Sequence, residues 1–111
     1  IVAGYLCSYD DCIGAVFHCP CNFIPNIRRY FDMGDLAGLI APRPMIVVAG
    51  TDDSIFPQQG VKRAFEDALR VYEAAGSPKN LKLILDHGPH RFFPEEAWKA
   101  MDGYTGNKPI P

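Results

Sequence analysis

Positive charge is scarce in this chain. Eleven Lys and Arg stand against thirteen Asp and Glu, and only Arg28-Arg29 and Lys62-Arg63 are adjacent basic pairs. A nucleic-acid surface needs a basic stripe or patch, so that class of partner is not expected. Long apolar runs are missing too: none approaches the ~18 residues of a bilayer-spanning helix, and no membrane partner is expected. No internal repeat or low-complexity segment interrupts the 111 residues. Cysteine vanishes early. Cys7, Cys12, Cys19 and Cys21 are followed by none. Disulfide-dependent small domains spread their cysteines through the chain, so free thiols are the preferred reading.

What is present reads as alternating strands and helices. "IVAGYL" (1–6) is strand-like, with Ile, Val, Tyr and Leu. Residues 7–26 have no sustained period and read as an irregular connector with a helical turn. "DMGDLAGLIA" (32–41) reads as a short helix with Asp32 as N-cap and Asp35 in the first turn. "APRP" ends it, because proline cannot continue a helix. "PMIVVAG" (44–50) is apolar without alternation, the mark of a strand buried on both faces of a parallel sheet.

After the loop "GTDDSIFP", a helix is expected over about 58–75, with Val61, Phe65, Ala68, Leu69 and Tyr72 on its apolar side. "LKLILDH" (81–87) follows as a second strand, also expected to be buried. Pro94-Glu95-Glu96 opens a last helix with Ala97, Trp98 and Met101 as its buried side. The chain then ends in "GNKPIP", read as a loop. The fold class is α/β: three mostly parallel strands with flanking helices, and a β-α-β unit at 44–87.

That unit has a chemical consequence. Both of its strands run the same way, so the loops after them share one edge of the sheet. One loop carries Asp52 and Asp53, the other His87 and His90. Catalytic groups of open α/β sheets gather at that edge. A carboxylate that accepts an imidazole N–H fixes the tautomer and leaves the other nitrogen as a general base. Asp53, deeper in its loop than Asp52, is the expected acid. His90, lifted off the strand by Gly88-Pro89, is the expected base in preference to His87. Loops are rich in Asp, and loop histidines are most often surface residues, so spacing alone does not establish the pair.

"APRPMIVVAGTDDSIFP" followed by "LDHGPHRF" resembles the C-terminal third of an α/β-hydrolase. The likeness is nearest to acetyl xylan esterase-like and dienelactone-hydrolase-related esterases. There "HCPCNFIPNIRRYFDMGDLAGLIAPRP" also has counterparts, and the resemblance covers about residues 1–93. It implies the C-terminal portion of an α/β-hydrolase fold. It also implies Asp53, the last residue of G-x-x-D, as triad acid and His90, of G-x-H-R-F, as base. The substrate implied is a small-molecule or carbohydrate ester. No cofactor and no metal is implied. Pro89 stands where the family often has a second glycine.

The G-x-S-x-G elbow of that family is missing. Ser8, Ser54 and Ser77 are the only serines, and none lies between glycines. By the resemblance the elbow precedes Ile1, together with the oxyanion-hole donors. Residues 1–111 are therefore expected to be a partial α/β-hydrolase domain lacking its N-terminal half. Such a chain is expected to be inactive alone, and to be unstable or to associate with its missing half or with another copy.

Other readings use other residues. His18, Cys19 and Cys21 suggest a metal-binding module, but C-P-C is too tight for a structural zinc pair and no second pair exists. A prolyl-oligopeptidase-type peptidase shares the strand, G-x-x-D, helix, strand, His layout. A non-catalytic truncated piece is the third alternative.

Overall fold

Six consecutive residues without a polar side chain cannot alternate between core and solvent. They need cover on both sides, and the architecture supplies it. The computed structural model describes residues 1–106. Strand β1 (Val2–Ala3), helix α1 (Met33–Gly38), strand β2 (Met45–Gly50), helix α2 (Gln58–Ala74), strand β3 (Leu81–Asp86) and helix α3 (Pro94–Thr105) follow in that order. Short 3-10 turns lie at Pro20–Asn22, Ile27–Arg29 and Pro78–Asn80. The loop expected at the C-terminus lies, from residue 107 on, outside the described residues.

The sheet order is β1-β2-β3 and every pairing is parallel, where sequence patterning predicted a mostly parallel sheet. All six residues of β2 are buried. Met45, Val47 and Ala49 point into a core shared with α1, α2 and residues 6–13. Ile46 and Val48 point the other way, into a smaller cluster with Phe93, Ala97 and Ala100 around α3. The result is three layers, with helices on both faces of the sheet.

α1 is held by a complete capping box. Asp32 accepts from Met33 N at 2.7 Å, and Asp35 returns a carboxylate to Asp32 N at 2.7 Å. Asp32 also accepts from Tyr9 N at 2.8 Å, which ties the irregular connector to the helix. Arg63 of α2 donates to Asp11 at 2.9 Å and fixes the same connector from the other side. That guanidinium holds the Asp11 carboxyl below the usual range. α1 and α2 pack against each other through Gly34, where an added side chain would strike the Ala64 carbonyl.

Three expectations need correction. The first strand is not 1–6 but only Val2–Ala3. Gly4 turns to φ 62°, which an L side chain rarely adopts, and the chain leaves the sheet there. β3 is not buried on both faces: Leu81 is buried, but residues 83–86 are only half-covered because β3 is an edge strand here. Trp98 is 56% exposed, whereas Ala97 and Ala100 carry the buried side of α3. One residue is a turn of about 100° on a helix, enough to swing Trp98 out of the seam. It packs edge-on to Phe92 instead.

Candidate active site

The register brings the two expected loops together. Gly50 of β2 pairs with Asp86 of β3, so both strands end at the same level. Beyond that point Thr51 N donates to Asp86 O and Asp52 N to Gly88 O, each at 2.9 Å. Gly50 itself lies against the Gly88 and Pro89 carbonyls, where no side chain would fit. These contacts stitch the acid loop to the histidine loop before any side chain is considered. Pro89 does not prevent the turn, because Gly88 supplies it with φ 146°.

Asp53 lies in the core with no exposed side-chain surface. A buried carboxylate needs partners for both oxygens. Oδ1 accepts from Ile55 N at 2.8 Å and from Phe56 N at 2.9 Å, closing a tight turn. Oδ2 lies 2.8 Å from His90 Nδ1. A carboxylate only accepts, so the proton of that bond sits on Nδ1, and in the neutral ring the lone pair is then on Nε2. His90 is partly exposed, at 42% of its side chain. A half-open imidazole tethered at Nδ1 can take and return a proton at Nε2.

The other two candidates are not part of this pair. His87 Nδ1 lies 3.3 Å from Asp52 Oδ2 and 3.3 Å from Thr51 Oγ1, with the His87 and Asp52 side chains largely in solvent. An exposed contact of that kind adds little.

Aromatic groups surround the base. The Phe56 ring stacks on His90, with centroids 5.5 Å apart and planes 23° from parallel. Tyr5 and His18 pack on the same Phe56 ring at 5.5 and 5.6 Å. The stacking role had no sequence signal, because it depends on the path of a loop rather than on a period.

None of the serines is joined to His90 among the described residues. Ser8 is bound to Asp11, Ser54 faces solvent, and Ser77 lies against the Tyr72 carbonyl. The buried cysteines do not replace them. The neighbouring Cys12 thiol, together with burial, pushes the Cys7 thiol up, and the same interaction pulls Cys12 down. Both are fully buried, and Cys12 donates to the Ser8 carbonyl at 3.1 Å. Cys19 and Cys21 are free and exposed. Among the described residues no group of three His, Cys, Asp or Glu is placed to hold a metal.

The chain is similar to known proteins in both sequence and structure. The sequence profile of the Abhydrolase family matches residues 16–106. A putative hydrolase, YtaP of Bacillus subtilis (strain 168), is 25% identical over 68 residues, which is 61% of this chain and 23% of that protein. Among solved structures, methylesterase BT1017 matches with a TM-score of 0.55 at 22% identity, over 67% of this chain and 17% of that one. The chain thus spans less than a quarter of the length of either protein.

Proposed function

The chain belongs to the Abhydrolase family, and from that premise we propose that it carries the acid and base of a Ser-His-Asp hydrolytic triad. Asp53 is the acid and His90 the base. The observation that carries the reading is the 2.8 Å bond between a fully buried carboxylate and a half-open imidazole, at the shared end of two parallel strands. The serine lies on polypeptide other than these 111 residues, which contain no G-x-S-x-G.

In this reading His90 Nε2 takes the serine proton as the hydroxyl oxygen attacks an ester carbonyl. The Asp53 carboxylate stabilises the imidazolium that results. As the tetrahedral adduct collapses, His90 gives the proton to the departing alcohol. Water then enters, gives a proton to the same nitrogen as it attacks the acyl carbonyl, and the acid departs as His90 returns that proton to the serine oxygen. Support for an ester comes from "HCPCNFIP" and "FDMGDLAGLIAPRP", which resemble acetyl xylan esterase-like enzymes. A small-molecule or carbohydrate acetyl ester is the substrate this favours.

The test is hydrolysis of p-nitrophenyl acetate by a polypeptide that joins this chain to a G-x-S-x-G segment. His90→Asn and Asp53→Asn are each expected to lower kcat by roughly a thousandfold or more. Unchanged turnover in His90→Asn sinks the proposal. Faster cleavage of a proline-linked peptide amide than of the ester would overturn the esterase half. The 111-residue chain itself is expected to take no label from a fluorophosphonate.

A further inference from the structure

We infer that Phe56 is a positioning residue that fixes the His90 base through its ring and the Asp53 acid through its backbone. This rests on the reading of Asp53 and His90 as acid and base. A single hydrogen bond holds one atom of an imidazole. With only Nδ1 tied to Asp53, the ring can pivot about that bond and carry Nε2 away from the serine oxygen. A flat surface against the ring removes that freedom.

Phe56 provides the surface, at 5.5 Å between centroids and 23° between planes. The same residue donates its N–H to Asp53 Oδ1 at 2.9 Å, so acid and base are set from one Cα. Its own position is firm. Pro57 restricts Phe56 to extended backbone and leads directly into α2. Tyr5 and His18 pack on the Phe56 ring, which is 4% exposed. Gly4 closes another side: a Cβ there would stand 2.9 Å from His90 Cε1. The base is therefore bounded by a bond at Nδ1, by Phe56 on one face and by Gly4 near Cε1.

The deciding measurement is the imidazole NMR spectrum of the serine-bearing polypeptide used in the activity test. His90 is expected to show a slowly exchanging Nδ1–H proton, identified by its loss in Asp53→Asn. Phe56→Leu keeps the backbone N–H and most of the bulk but removes the flat ring. It is expected to broaden or abolish that proton signal while the helical circular dichroism persists. Phe56→Tyr, which restores a ring, is expected to retain it. If Phe56→Leu does not fold, Phe56→Met replaces it in the same comparison. An unaltered Nδ1–H signal in the Leu or Met variant overturns the proposal and leaves Phe56 a packing residue. In the serine-bearing polypeptide, Phe56→Leu is expected to lower kcat about tenfold with KM unchanged. Wild-type kcat in Phe56→Leu, with activity lost in Asp53→Asn, overturns the positioning role alone. Wild-type kcat in both overturns the triad reading as well.

Discussion

Asp53 is the only charged residue buried in the core among the described residues, and its partners come from three directions. Two of them are backbone amides that lose their acceptor if the carboxyl group is removed. Asp53→Ala should therefore cost about 2–6 kcal/mol, since each buried donor left without an acceptor costs roughly 1–3 kcal/mol. Asp53→Asn is a different change. Its amide oxygen can still accept from Ile55 and Phe56, so the turn survives, but its NH2 group then faces a nitrogen that carries a proton. The imidazole must shift its proton or rotate, and the base is lost without the fold. Urea denaturation should show the Ala variant clearly destabilised and the Asn variant close to wild type. Equal losses in both would mean that the bond to His90, rather than the two amides, dominates the role of Asp53 in stability.

At the scale of elements, Asp32 joins pieces that are far apart in sequence. It caps α1, completes the box with Asp35 and anchors Tyr9 N, so the short helix and the connector depend on one side chain. Asp32→Ala is expected to lower stability by about 2 kcal/mol, more than a helix cap alone, because the Tyr9 amide loses its acceptor too. Asp35→Ala removes only the return bond and should cost about half as much. A urea titration of the two variants checks the ranking. The cap was legible in "FDMGD", since Asp before a helix and Asp three residues on follow a local rule. The reach to Tyr9 was not, since it spans the irregular connector. β2 and α2 were legible for the same local reason, as an unbroken apolar run and a 3.6-residue stripe. The placing of Asp53 beside His90 needed one further step, the parallel topology of a β-α-β unit. Illegible were the early end of β1, which turns on the φ of Gly4, and the outward swing of Trp98, which turns on helix phase. The Phe56 platform was also hidden, because no periodic pattern reports a loop ring.

The whole molecule shows a mismatch between its core and its surface. β2 is sealed on both faces, yet Phe17 is 93% exposed, Leu39 77% and Tyr30 72%. Phe23, Ile24 and Phe31 add exposed apolar surface on the same stretch of chain. Isolated exposed hydrophobic residues are ordinary, but contiguous ones mark an interaction face or an aggregation hazard. β1 makes this worse: it is a two-residue strand at the sheet edge, beside an apolar groove formed by Val2, Leu6, Met33, Leu36 and Ile40. Unpaired strand edges and apolar grooves both favour association. The purified 111-residue chain is therefore expected to self-associate, with an apparent mass in sedimentation that rises with concentration, and to bind an apolar dye such as ANS. Phe17→Ser and Leu39→Ser together should weaken both signals with little effect on the sheet, because neither side chain is buried. A monomer at every concentration, with no dye bound, would show that these side chains fold onto the chain's own surface in solution. Association that survives the double variant would instead place the contact at the β1 edge, where a charged substitution such as Val2→Lys is the next discriminating change.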